Sequence, residues 1–297
     1  MRHFQNRVAV ITGAGSGFGR AFAREGAARG MRLVLADVQQ TALDETLSEL
    51  QSSGAEAIAM NCDVSRADQV EALANLALSH FGGAHLVFNN AGVGSGGLIW
   101  ENTIQDWEWV LGVNLWGVIH GVRSFVPLML AQAERETDYE GHIVNTASMA
   151  GLLSPQLLGV YNVSKHAVVA LSETLYHDLK TVQAPVDCSV LCPAFVPTGI
   201  SQSHRSRPSD LLNAQAPTES MKIAQAMTHK AVTAGKLTAD DVARLTYEAV
   251  SENRFYILTH PKIMETVKLR LEDIETLSNP RDPFALKEGL RPNLADA

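Results

Sequence analysis

The chain has 297 residues and 46% apolar content, ordinary for a globular protein with a substantial core. Its 24 Lys and Arg against 32 Asp and Glu leave a formal charge of −8, with no basic block that would favour nucleic acid. Residues 1–6 lack the apolar core of a signal peptide and no run approaches about 18 uncharged apolar residues, so neither secretion nor a membrane span is expected.

In chain order, the β-branched run at 8–12 is the first predicted strand. It ends in Thr12-Gly13-Ala14-Gly15-Ser16-Gly17-Phe18-Gly19, and an amphipathic segment at 20–28 follows directly. Strand, glycine-rich turn and helix form the context in which a glycine fingerprint binds a dinucleotide. Gly13 permits the tight turn, while Gly17 and Gly19 let backbone approach a pyrophosphate and the helix pack on the strand. The spacing G-x-x-x-G-x-G is a variant of that signature, and free N–H groups at the helix start face the phosphates. A second apolar strand at 33–37 ends in Asp37, 18 residues after Gly19. A carboxylate there binds the adenosine ribose hydroxyls and repels a 2′-phosphate. Val38, Gln39, Gln40 and Ser16 carry no cation to offset it, so the expected cofactor is NAD rather than NADP.

Further strands are predicted at 57–63, 86–89, 142–148, 186–193 and 255–258. Helical patterns separate them, at 41–53, 65–81, 103–133, 161–183 and 239–251. This alternation predicts one α/β domain over 1–297: a Rossmann-like doubly wound parallel sheet of about seven strands, with helices on both faces. The ligand crevice of such a sheet lies beyond the strand C-termini, where Gly13, Asp37, Asp63, Asn90, Ser148 and Pro193 fall. Tyr161 and Lys165, four apart, share a helix face, which brings an ammonium beside a phenol. A free phenol titrates near ~10, and a neighbouring cation moves it down toward the working range. Ser148 would supply a hydroxyl to hold the oxygen that gains or loses the proton. On its own the pair also reads as a packed tyrosine with a solvated lysine.

Two stretches break the alternation. Residues 131–141 read as a charged, solvated loop. Residues 199–236, broken by Pro208 and Pro217, are predicted to form a lid in which Ile200, Leu211, Leu212 and Met221 close over a substrate. Inside it, His204-Arg205-Ser206-Arg207 reads as a solvated basic turn, with a site for an acidic group as the alternative. From 261 to 297 a helical extension is predicted, carried by Ile263, Val267, Leu271 and Ile274, with a turn-rich, partly disordered end at 280–297. Cys62, Cys188 and Cys192 read as buried thiols, which suits a cytoplasmic location. The ten histidines show no metal-binding spacing, so no metal is expected.

Taken together, Thr12-Gly13-x-x-x-Gly17-x-Gly19, Asp63, Asn89-Asn90-Ala91-Gly92, Asn114, Ser148, Tyr161 and Lys165, in that order, resemble the classical short-chain dehydrogenase/reductase family. The resemblance runs over roughly residues 5–258. It implies that Tyr161 is the general acid/base, that Ser148 orients the substrate oxygen, and that Lys165 lowers the tyrosine pKa and binds the nicotinamide ribose. It further implies that Asn114 supports a water relay to the lysine and that Asp63 and Val64 flank the adenine. Asn90 would line the cofactor cleft, joined by Ser16 and Phe18 of the glycine turn, while Val196 and Thr198 hold the carboxamide. Where the family usually has Pro-Gly, this chain has Pro193-Ala194. A homotetramer or homodimer is also implied. Leu153, Leu158 and Phe195 mark an expected apolar substrate pocket, with Leu152, Leu157 and Trp100 nearby. The expected function is therefore an NAD-dependent oxidoreductase interconverting a hydrophobic, aromatic or cyclic secondary alcohol and its ketone. An NAD-using epimerase or dehydratase, and a non-catalytic dinucleotide-binding regulator, stay open.

Overall fold

The computed structural model describes residues 1–286. β1 (Val8–Thr12) is buried at every position and β2 (Arg32–Asp37) at all but its ends. Burial on both sides of a strand requires layers on both faces of the sheet. β3 (Ala57–Asn61), β4 (Leu86–Asn89), β5 (Gly141–Thr146), β6 (Val186–Cys192) and β7 (Tyr256–Leu258) complete a seven-stranded sheet in the order β3-β2-β1-β4-β5-β6-β7. Every pairing is parallel. The order reverses between β1 and β4, the switch point where such sheets bind ligands.

Successive strand residues face opposite layers. Ala9 and Ile11 join one core with Phe22 of α1 (Gly17–Ala28), Leu43 of α2 (Gln40–Ser52) and Tyr247 of α8 (Ala239–Ser251). Within it Phe22 stacks on Phe88 with ring centroids 4.4 Å apart. Val8 and Val10 join the other core, with Leu73 of α3 (Ala67–Phe81), Phe125 of α5 (Gly117–Ala133) and Leu175 of α6 (Gly159–Thr181). The three cysteines are buried free thiols.

Several boundaries depart from expectation. β3 stops two residues before Asp63 and β5 two before Ser148, because both side chains take local backbone partners that turn the chain aside. Asp63 accepts from the N–H of Ser65 at 3.0 Å, and Ser148 from that of Ala150 at 3.1 Å. The helix expected at 103–133 is α4 (Ile104–Leu111) and α5 joined by a π-helical turn, Gly112–Trp116, centred on Asn114. By length and composition alone Ile104–Ala133 would suffice to cross a membrane, although Asp106, Glu108 and Arg123 keep it short of a run of about 18 uncharged apolar residues. Here its α5 part packs on α3 and on β4, β5 and β6.

The 199–236 segment is structured rather than a bare loop. Two 3-10 turns, Gly199–Ser206 and Ser209–Leu211, lead into α7 (Glu219–Thr233), capped by the Thr218 hydroxyl. The solvated basic turn expected at 204–207 does not hold for Arg207. Its guanidinium meets Asp106 at 2.7 Å and lies over the Trp109 ring, 4.9 Å from the centroid, with both charged side chains largely buried. In the C-terminal extension, α9 (Met264–Glu275) places Val267 against Met149 and Leu153. Residues 287–297, most of the expected turn-rich end, lie outside the described region.

Candidate active site

The loops that leave the C-terminal ends of β1 to β6 surround a cleft of about 590 Å³, a size typical of small-molecule sites. Gly13, Ser16, Gly17 and Phe18 form one wall; Asp37, Asp63 and Val64 continue it. Asn90, Ser148, Tyr161, Lys165, Val196 and Thr198 line the other half. The order of strands alone brings these residues together from across nearly two hundred positions of sequence.

The glycine turn fits a dinucleotide by subtraction. Gly13 sits at φ +69°, and a Cβ there would stand 2.9 Å from Ala91 Cα. At Gly19 a Cβ would fall 2.0 Å from the Gly13 carbonyl oxygen, so only glycine lets α1 press against the turn. Ser16 caps α1 in extended backbone, leaving the first N–H groups of the helix aimed at the cleft. Asp37 is fixed by two backbone donors, Gly15 N–H at 2.9 Å and Gln39 N–H at 2.8 Å. Its carboxylate therefore faces the turn in one orientation. These residues fit a dinucleotide: a donor-rich cradle for phosphate, and a fixed acceptor one strand away for ribose hydroxyls.

Around the expected catalytic residues, Lys165 is buried and its ammonium donates to Thr146 O at 2.9 Å. It lies 5.6 Å from the Tyr161 ring centroid. Burial pushes the lysine down to about 8. Burial also raises the Tyr161 phenol above its ordinary value, opposed by a hydrogen bond with Ser148. The downward displacement expected from helix spacing is thus reversed in the protein on its own. Proximity of the cation was foreseeable from sequence, whereas desolvation of both groups was not. Ser148 is held at the cleft floor, accepting from Ala150 N–H and facing Pro193 O at 3.5 Å.

Asn114 is fully buried at the π turn, a break in helical bonding often found at functional sites. Its amide closes a two-way clamp on Val93, donating to the carbonyl at 2.9 Å and accepting the N–H at 2.8 Å. It also donates to Ser164 Oγ at 3.0 Å. A Cβ on Gly92 would lie 3.5 Å from Asn114 Oδ1 and 3.6 Å from Lys165 Nζ, so amide and ammonium converge on one bare glycine. Asn90 has a further role as a staple: its side chain donates to Thr12 O, and its N–H to Thr12 Oγ1, both at 2.9 Å, tying β4 to β1 at the switch point.

The expected substrate-pocket residues stand apart from the cleft. Leu153 is covered by Val267 of α9, and Leu158 lies against Gly96 beside Ala224 of α7. Phe195 is 37% exposed, with its carbonyl against Gly235. None of the three lines the cleft. Its apolar lining toward 199–213 is instead Val93, Trp109, Val113, Ile200 and Leu211. A second absence from the sequence reading is Arg205, whose guanidinium donates to Ser16 Oγ at 3.2 Å and so brings a cation to a turn expected to have none. Sequence signalled it only as one member of a basic tetrapeptide. Among the described residues no group of three or more His, Cys, Asp and Glu could hold a metal.

A switch-point cleft with this cradle and an acid/base trio defines an enzyme of the Rossmann-type oxidoreductase class. The chain belongs to the short-chain dehydrogenase family, whose model matches residues 7–209. It is 33% identical over 279 residues to the CLA biosynthesis dehydrogenase/reductase of Lactiplantibacillus plantarum, covering 93% of this chain and 96% of that protein. It is 32% identical over 282 residues to the C alpha-dehydrogenase of Sphingobium sp. strain SYK-6, covering 92% and 87%. Among solved structures, a short-chain dehydrogenase/reductase from Burkholderia phymatum in complex with NAD is 59% identical, with a TM-score of 0.93 over 95% of this chain and 99% of that one.

Proposed function

We propose that the protein is an NAD-dependent dehydrogenase that interconverts a secondary alcohol and its ketone, acting on hydrophobic, aromatic or cyclic substrates. The observation that carries this reading is the convergence of Ser148, Tyr161 and the buried Lys165 on one cleft, with the ammonium 5.6 Å from the phenol ring centroid. A bound nicotinamide supplies hydride acceptance and donation. The protein's own part is the proton. Ser148 holds the substrate oxygen, and Tyr161 Oη takes the alcohol proton in oxidation and returns it in reduction. Lys165, ordered by Thr146 O, favours the phenolate that exists between those two events. Asn114 clamps the Val93 backbone and so fixes the turn at Gly92 beside the lysine. The NAD preference rests on Asp37, pinned where a 2′-phosphate would meet it, and on the NAD complex of the Burkholderia relative. The apolar substrate preference rests on the lining by Val93, Trp109, Ile200 and Leu211.

Replacing Tyr161 with Phe removes the proton carrier and leaves the ring. Turnover of NAD with the best substrate of an alcohol and ketone panel should fall about 10²- to 10⁴-fold. NADH affinity, read by fluorescence, should stay within a few-fold. Near-parental turnover in the variant would refute the assignment.

A further inference from the structure

We propose that Arg205 is a ligand of the dinucleotide phosphates, reaching them from the strap at 199–213 rather than from the glycine turn. The proposal rests on the dinucleotide reading of the cleft and adds to it a residue outside the fingerprint.

The strap is fastened at three places across the cleft. Gln39 Nε2, at the start of α2, donates to Arg205 O at 3.4 Å. Gly94 N–H, beyond β4, donates to Ser203 Oγ at 3.0 Å. On α4, Asp106 holds Arg207. Arg205 is thus fastened by its own carbonyl and flanked by the fastenings at Ser203 and Arg207, and its guanidinium is aimed at the phosphate turn, where it donates to Ser16 Oγ. Gly199 makes the room: a Cβ there would stand 2.5 Å from Arg205 Nη2.

Charge separates Arg205 from its neighbours. The cleft is lined by the carboxylates Asp37, Glu45, Asp63 and Glu108, in a protein already at −8. Three cations line it as well. Arg20 is committed to Glu49 at 2.7 Å and faces Glu45 at 3.8 Å. Lys165 is held at the phenol. Arg205 has no carboxylate within ion-pair range among the described residues. Two phosphates entering this acidic cleft find only fractional charge on the helix N–H groups. A guanidinium supplies a full charge and a planar donor fork suited to phosphate oxygens. Its present hydroxyl partner is neutral and easily exchanged.

The test is binding, not turnover. NADH, ADP-ribose, NADPH and adenosine are titrated against the parent, Arg205→Ala and Arg205→Lys, at low and high salt. Arg205 is exposed, so neither variant should disturb the cores; circular dichroism checks this. Arg205→Ala should bind NADH and ADP-ribose about ten- to a hundredfold more weakly, leave adenosine unchanged, and flatten the salt dependence. Arg205→Lys should recover part of the loss. Unchanged NADH affinity would overturn the proposal, as would an equal loss for adenosine or a loss confined to NADPH. The last result would mark a 2′-phosphate reader instead. If the parent itself bound neither NADH nor ADP-ribose, the dinucleotide reading would fail with it.

Discussion

His142, at the start of β5, has no exposed surface, and its two ring nitrogens meet different surroundings. Ser189 Oγ gives its single proton to Arg254 O at 2.7 Å. The contact between His142 Nε2 and that hydroxyl, also 2.7 Å, must therefore be donated by the imidazole. Nδ1 is left buried without a partner. A second proton would sit there with no acceptor from the protein, and burial pushes the residue down to about 3. The unfolded chain binds that proton near pH ~6.5. Between the two values the unfolded state holds more protons, so folding stability falls as pH drops through this window, by about 1.4 kcal/mol per unit. His142→Gln keeps a donor for Ser189 and cannot titrate. Urea midpoints measured from pH 7 to pH 4.5 should decline less steeply in the variant, even though its stability at pH 7 is slightly lower. Some slope remains from His85, whose pKa is also lowered by burial. Parallel slopes in the two proteins would remove His142 from the acid response.

Among the elements, α4 holds the strap through a largely buried ion pair. Asp106 is the third helical residue of a capping box with Thr103 and also accepts from Arg207 and Asn213. With Arg207 largely buried on Trp109, loss of the carboxylate leaves a guanidinium with little water to turn to. Asp106→Asn should cost about 3–5 kcal/mol, the penalty for breaking a buried pair from one side. Limited proteolysis should then cut faster within 199–213, whereas a variant at the exposed Arg66–Asp68 pair should not change the pattern. Unaltered cleavage would show that the strap is fastened elsewhere. This knot also marks where sequence stops being legible. The strands, the glycine turn and the Tyr161–Lys165 helix face are local patterns with period two or 3.6, and they are found where expected. Arg207 finds its partner 101 residues away, and Arg205 finds Ser16 across 189. No spacing rule links those positions, and their polar neighbours read as a wet turn. The same limit hid the apolar lining of the cleft: leucines near Ser148 looked available, yet α9 comes from far along the chain to cover Leu153.

At the scale of the whole molecule, the cleft lies on the seam of the sheet. Loops from β1, β2 and β3 form one side, and those from β4, β5 and β6 form the other. A dinucleotide spanning the seam contacts both halves in the folded state, and in the unfolded chain these contacts do not exist. Saturation at about one hundred times Kd stabilises the fold by ~2.7 kcal/mol. For a chain of this size that corresponds to a rise in Tm of about 5 °C. NADH should produce this shift. NADPH at the same concentration should produce a smaller one, because Asp37 is pinned by Gly15 and Gln39 N–H groups and cannot swing away from a 2′-phosphate. Asp37→Ala should lower the NADH shift and bring the two cofactors together. Arg205 pulls in the opposite direction, since a cation by Ser16 favours either dinucleotide through its shared phosphates, so it sets the size of both shifts and Asp37 sets their difference. Equal shifts for NADH and NADPH in the parent protein would contradict the assignment of specificity to Asp37.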